Sequence, residues 1–240
     1  ASTGDVTLTL PNVAGDVIPG KFAGTNFTDG ILIGHSTTGT LDNALKNLGI
    51  GSATLQSITS GDSNIALGYG ACSNVNTGLR NVVAGIYAGD AITSGDDNSA
   101  WGYASLSTIS TNNASTAVGS QALNAATGAY NTAIGKDAGN QVAAGTYNIM
   151  VGYDSGDNVT SGDGNVIIGS VDAASATGDR QLMITGYDGT TTTTWITGDS
   201  SGNVTMPAEL AAATLDISGA IDIDGTANLD TVDIDGAVQL

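Results

Sequence analysis

Apolar and polar positions along the chain fall into columns that return at a fixed interval. Nine segments line up: GILIGHS (30–36), NLGIGSA (47–53), NIALGYG (64–70), NVVAGIY (81–87), NSAWGYA (98–104), STAVGSQ (115–121), NTAIGKD (131–137), NIMVGYD (148–154) and NVIIGSV (165–171). Their fifth-position glycines, from Gly34 to Gly169, are separated by 17, 17, 17, 17, 17, 16, 17 and 17 residues. Self-similarity at such a period marks a stacked repeat architecture. The residue before the glycine is Ile33, Ile50, Leu67, Ala84, Trp101, Val118, Ile134, Val151 and Ile168, apolar in every copy. Two residues earlier stand Ile31, Leu48, Ile65, Val82, Ser99, Thr116, Thr132, Ile149 and Val166. Positions two apart share one face of a strand, so these columns predict a short strand whose Ile/Leu/Val ladder forms a continuous core. The column between them faces the other way. It reads Leu32, Gly49, Ala66, Val83, Ala100, Ala117, Ala133, Met150 and Ile167, without one charge. A strand apolar on both faces has to be covered on both.

The other recurring positions are turn chemistry. Asn opens seven of the nine copies, a residue that bonds to nearby backbone and tolerates left-handed conformations. The closing glycine calls for positive φ or the close approach of a neighbouring backbone. A second turn recurs about ten residues on, at Gly61, Gly78, Gly95, Gly128, Gly145 and Gly162. Between the two turns lies a further apolar stretch, with Leu55, Ile58, Ile92, Leu106, Ile109, Val142 and Val159. The unit therefore reads as strand, turn, short strand, turn. Seventeen residues cannot bury an apolar face alone, but stacked copies cover one another. Gly and β-branched residues recur too often for helix. The expected fold is all-β, a parallel β-roll or β-solenoid of nine 17-residue repeats.

The boundaries follow from where the repeat starts and stops: an N-terminal β segment over 1–29, the repeat β-roll over 30–178, a β-meander over 179–206 and shaft-like β repeats over 207–240. The meander is expected to place a strand near Leu182–Thr185, a YDG turn, a strand over Thr190–Thr197, a GDSSGN turn and a last strand at Val204–Met206. In the final segment Leu215, Ile217, Ile221, Ile223, Leu229, Val232 and Ile234 alternate with Asp or small residues. The pattern is still running at Leu240, so further protein or another subunit is expected beyond it.

Composition narrows the function classes. The 240 residues carry 23 Asp and Glu against 5 Lys and Arg, a net charge of −18. Such a chain cannot neutralise phosphates, which excludes nucleic-acid binding and disfavours anionic lipid surfaces. One cysteine, Cys72, and one histidine, His35, leave no disulfide framework, zinc knuckle or Ser-His-Asp arrangement. Cys72 stands where other rungs have Gly89 or Gly139 and reads as a small packed residue. No apolar run approaches a membrane span, and no insertion into a membrane is expected. Disorder fits poorly with 40% hydrophobic residues.

The unit N-x-[A/V]-[I/V]-G, as in Asn131–Gly135 and Asn165–Gly169, resembles the head repeats of trimeric autotransporter adhesins, a repeat class also found in phage tail fibres. The similarity covers about residues 30–178. The string LDISGAIDIDGTANLDTVDIDGAVQL at 215–240 is similar to shaft segments of tail fibres from marine and cyanobacterial phages, and 180–206 also fits such fibres. The resemblance implies a homotrimeric fibre. Burial offers two arrangements of its own: three chains sharing one dry axis, or a self-sufficient single-chain solenoid, 17 residues being close to three hexapeptide sides. One strong apolar stretch and one weak one per rung favour the trimer.

Candidate sites lie mainly in the column after the glycine: His35, Ser52, Tyr69, Ile86, Tyr103, Ser120, Lys136, Tyr153 and Ser170. Tyr69, Tyr103 and Tyr153 form a stripe that could stack against sugars, with His35 a surface member of the same column. The acidic turns GDD (95–97) and GDG (162–164) and the pairs Asp222/Asp224 and Asp233/Asp235 have the oxygen chemistry for calcium. They lack a complete loop, and solvated aspartates that discourage strand-edge aggregation explain them better. No catalytic residue, metal or cofactor is expected. The expected function is structural: an extracellular fibre or adhesin segment on a virion tail or cell surface, joined to adjoining fibre or tail proteins and presenting a face to host-surface glycan. The alternatives are a tailspike-like glycan hydrolase and a bacterial surface adhesin or filament subunit. An ice-binding solenoid fits less well, because Thr does not recur at one column.

Overall fold

The computed structural model describes residues 20–24, 27–34 and 40–208. Among these residues there is no helix. Thirteen strands form one sheet whose spatial order is the chain order: β1 (Gly20–Gly24), β2 (Phe27–Ile33), β3 (Leu48–Ile50), β4 (Ile65–Leu67), β5 (Val82–Ala84), β6 (Ser99–Trp101), β7 (Thr116–Val118), β8 (Thr132–Ile134), β9 (Ile149–Val151), β10 (Val166–Ile168), β11 (Leu182–Tyr187), β12 (Thr192–Gly198) and β13 (Val204–Thr205). From β2 to β11 every neighbouring pair is parallel. Equivalent residues sit directly over one another: Ala66 opposes Val83, Val83 opposes Ala100, and Ala100 opposes Ala117. The chain is a β-solenoid of about nine turns, as the 17-residue period predicts. An antiparallel strand, β1, precedes the stack, and the antiparallel meander β11–β12–β13 follows it.

The structure reverses the two faces of the strand. The middle column points inward: Leu32, Ala66, Val83, Ala100, Ala117, Ala133, Met150 and Ile167 are all fully buried. The flanking columns, expected as the core, face outward. The reason is the width of the rung. A three-residue strand directs only one side chain inside, and that interior is already filled from the opposite wall. Leu55, Ile58, Val75, Ile92, Leu106, Ile109, Leu123, Val142 and Val159 meet the middle column there, all fully buried. Small residues at the middle position leave room for them.

The second strand of the unit does not form. Leu55 belongs to a turn that the Ile58 N–H closes on the Leu55 carbonyl at 3.2 Å, and this spacing of three bends the chain back toward the sheet. Leu55, Cys72, Leu106 and Leu123 adopt left-handed backbone (φ 49–51°), where Gly89, Gly139 and Gly156 also have positive φ. Cys72 is buried and unpaired, the small packed residue the sequence implies. The glycine that ends each strand meets both demands placed on it. Gly68 has φ 124°, and a side chain there would come within 2.8 Å of the Gly85 carbonyl oxygen in the next rung.

The asparagine column is an internal ladder. Asn64 Oδ1 accepts the backbone N–H and the Nδ2 of Asn81, and Asn81 Oδ1 does the same for Asn98. Each Nδ2 also donates to the carbonyl of the second-turn residue one rung on, Gly78 for Asn64 and Gly95 for Asn81. These side chains are buried, so the ladder satisfies polar groups that water cannot reach. The left-handed residue is not Asn but its predecessor: Lys46, Ser63, Arg80, Asp97, Tyr130 and Tyr147 all have φ of 56–61°. Gln181 closes the ladder on Asn165.

The single 16-residue interval is absorbed at a corner, where Thr127–Gly128 replaces the three-residue turn of other rungs. Ser115 stands in the asparagine column just before it. Val204–Thr205 is as far as the meander strands run, and the shaft-like pattern beyond 208 lies outside the described residues, as do residues 1–19.

Candidate functional site

The outward columns form a continuous apolar face along the sheet. Ile50 is 44% exposed, Trp101 50% and Ile134 43%, and Ile31, Ile65, Leu67, Val118, Ile149 and Ile168 are similarly open. From β2 through β10 neither outward column carries a charged residue. The first outward column is bulky at Leu48 and Ile65 and carries Ser99, Thr116 and Thr132 over β6–β8, where Trp101, Val118 and Ile134 supply the apolar surface. An exposed apolar patch of this kind on a folded chain marks a surface of contact.

Aromatic residues continue the face past the strand on both margins. After the glycine stand Tyr69, Ile86, Tyr103 and Tyr153, all exposed. Tyr69 and Tyr103 are two rungs apart, and the residue between them is Tyr87, one position further along the turn. Its ring meets Tyr69 edge-on with centroids 5.2 Å apart. The hydrogen bond to Tyr69 pushes the Tyr87 hydroxyl upward in pKa. Tyr69 and Tyr87 thus form a pair with Tyr103 one rung further along, while Tyr153 lies apart with Lys136, whose ammonium sits 5.3 Å from its ring centroid. His35 lies outside the described residues. On the other margin Tyr130 and Tyr147 stack at 4.8 Å with rings 11° from parallel. Tyr87 and this pair stand outside the glycine-following column, at left-handed turn positions whose residue types vary from rung to rung.

The acidic turns are engaged by the fold. Asp96 Oδ1 accepts the Leu79 backbone N–H at 2.8 Å, and Asp163 Oδ1 accepts that of Thr146 at 2.7 Å. Asp97 takes a paired contact from Arg80 at 2.6 and 2.8 Å, which holds its carboxyl below the ordinary range. Among the described residues no three His, Cys, Asp or Glu side chains converge on a point where a metal ion would fit. Asp222, Asp224, Asp233 and Asp235 lie outside the described residues.

A cleft of about 520 Å³ is lined by Asp154, Asp157, Ser170, Val171, Asp172 and Thr192. Burial, the hydrogen bond with Asp172 and the charges of Asp154 and Asp137 push the Asp157 carboxyl up to about 6.

Comparison with protein-family models, with curated proteins and with solved structures finds no match to this chain.

Proposed function

We propose that this chain is a structural segment of a homotrimeric extracellular fibre, of the kind carried by a phage tail or a cell surface, and that it holds a glycan-facing surface away from the body it is attached to. The observation that carries this reading is the uncharged apolar outer face. Stacked at about 4.8 Å per rung, its nine rungs make a strip about 40 Å long and, with its margins, about 15 Å wide. The resulting area, about 600 Å², approaches the roughly 800 Å² per partner of a stable interface. A second copy is the matching occupant, because cyclic packing of parallel rods sets the edge that carries Ile33, Ile50 and Trp101 against the edge that carries Ile31, Leu48 and Ser99 of the neighbour.

Three copies suit the face better than two. Two flat sheets laid together cover the strands and leave the margins bare. Three wedge together, so that the margin after the strand-closing glycines of one chain approaches the margin before the asparagine column of the next. The repeat resemblance to trimeric adhesin heads and tail fibres points the same way. The mechanism is geometric: main-chain ladders and shared apolar edges give a stiff shaft, adjoining fibre or tail proteins connect it, and three copies of every surface contact multiply weak binding into avidity.

Paired cysteines test the arrangement. In a Thr116→Cys, Val118→Cys chain, mild oxidation joins one chain's first edge to its neighbour's second. Two- and three-chain species on a denaturing gel are the expected result, and single chains alone contradict it.

A further inference from the structure

The hairpin β11–β12 lies outside the repeat, and its sequence breaks a local rule. Ile184 opposes Ile196 and Thr185 opposes Thr194, so Trp195 is an extra residue without a partner, a β-bulge. Bulges re-aim the side chain they carry. Here the indole swings over Gly186, where a side chain would lie 2.5 Å from Trp195 Cζ2. A side chain at 186 would displace the ring from that position. Covering Gly186 uses one face of the indole; Trp195 remains 55% exposed.

That indole and Tyr187 flank an open cleft of about 330 Å³ that is also lined by Gly186, Asp188, Thr191 and Thr193. The size falls at the lower end of small-ligand sites, room for a ring or two. Tyr187 is also exposed. Asp188 Oδ1 accepts the backbone N–H groups of Thr190 and Thr191, each at 2.9 Å, and these bonds hold its carboxyl below the ordinary range. The group is therefore a fixed anion at neutral pH, an acceptor only. The threonine hydroxyls of Thr191 and Thr193 donate or accept.

We propose that this cleft binds a neutral hexopyranose unit of an oligosaccharide. A pyranose ring has one face of polarised C–H bonds, which rests on an aromatic ring, and a rim of hydroxyls, which donate to a carboxylate and exchange bonds with threonines. The aromatic wall, the anionic acceptor and the hydroxyls match those two features. Asp188 and the acidic chain around it repel uronic and sialic acids. The proposal draws its ligand class from the fibre reading, and its site lies on the hairpin that follows the ninth repeat.

Calorimetric titration of the full chain with cellotetraose, maltotetraose, mannotetraose and tetra-N-acetylchitotetraose tests it, with tetragalacturonate as the acidic probe. Saturable binding of at least one neutral probe, with Kd on the order of millimolar, and none of the acidic probe is expected. Trp195→Ala should weaken binding at least about tenfold, and Trp195→Phe, which keeps an aromatic face, by less. Circular dichroism of both variants verifies that the solenoid is intact. No binding of any neutral probe, or binding that survives Trp195→Ala and Tyr187→Ala unchanged, overturns the site. Neither result alters the mass of the assembly, so failure here and failure of the fibre reading are told apart.

Discussion

Asn64 and Asn81, one rung apart, share a single acceptor: the Asn64 side-chain oxygen takes both the backbone N–H and the side-chain Nδ2 of Asn81, each at 3.0 Å. The Asn81 amide then reaches the Gly95 carbonyl at 2.8 Å. One residue type thus ties three successive rungs together in a region closed to water. Hydrogen bonds in such a place cost more to break than they contribute net, because the partners are left buried and unpaired.

Asn81→Ala removes the acceptor from Asn98 and the donor from Gly95. A loss of about 3 kcal/mol is expected, lowering the melting temperature by about 6–12 °C in a chain of this size. Asn81→Ser should cost less, because the chain itself carries Ser115 in this column, where the Asn131 N–H reaches its hydroxyl at 3.4 Å. Thermal unfolding of the two variants gives the order; an alanine variant as stable as the native chain contradicts the ladder's role.

The corner before the shortened rung is the least tied part of the stack. Thr93, Ser94 and Gly95 all donate to the Ser110 carbonyl at 2.8–3.3 Å, whereas the amides of Ser110, Thr111 and Asn112 make no such bond to the next rung. The glycine column also breaks at Asn112 and the asparagine column at Ser115. Amide hydrogen exchange should be faster over 110–112 than over 93–95; equal protection contradicts this.

The pH dependence has a definite sign. In the folded chain the Asp157 carboxyl is pushed up to about 6, by burial first, then by Asp172 and the charges of Asp154 and Asp137. An unfolded Asp titrates near 3.9, so between the two values the folded state holds more protons. The stabilisation is full below about 4 and is lost as pH rises through about 6. Asp157→Asn removes the titration, so the stability of that variant relative to the native chain should rise from pH 4 to pH 7. Melting curves at the two pH values measure it; a constant difference contradicts it.

Cys72 should be inert in the folded chain. Its thiol is fully buried, and burial, followed by the charge of Asp90, drives its pKa far above that of a free thiol, leaving no reactive thiolate. A disulfide reagent should label it only after unfolding; prompt labelling of the native protein contradicts the packing described.

The period, the parallel stacking and the two glycine requirements were legible in the sequence because each depends on one residue type recurring at one position. The direction of the strand faces was not. Ile50 and Gly49 belong to columns that are both apolar, and hydrophobic pattern alone does not say which goes inside. The small residues did carry that information: Ala66, Ala100 and Ala117 leave room for Ile58, Ile92 and Ile109 in a shared interior, whereas Trp101 is too large for it. The second apolar stretch read as a strand, although the three-residue step from Leu55 to Ile58 is a turn spacing. Tyr69 and Tyr103 are legible as exposed positions of the glycine-following column, yet Tyr87, whose ring meets Tyr69 edge-on, stands in a neighbouring column. Trp195 lay outside every repeat, and only the bulge register brings it over Gly186.

The outer face is the centre of the account, and the mass of the protein in solution tests it most directly. Sedimentation equilibrium of the native chain should give about three times the 23.6 kDa of one chain. Ile134→Asp, which places a charge on the exposed edge without touching the buried column, should return the mass toward one chain with the β-sheet spectrum unchanged. A native mass of 23.6 kDa would contradict the assembly.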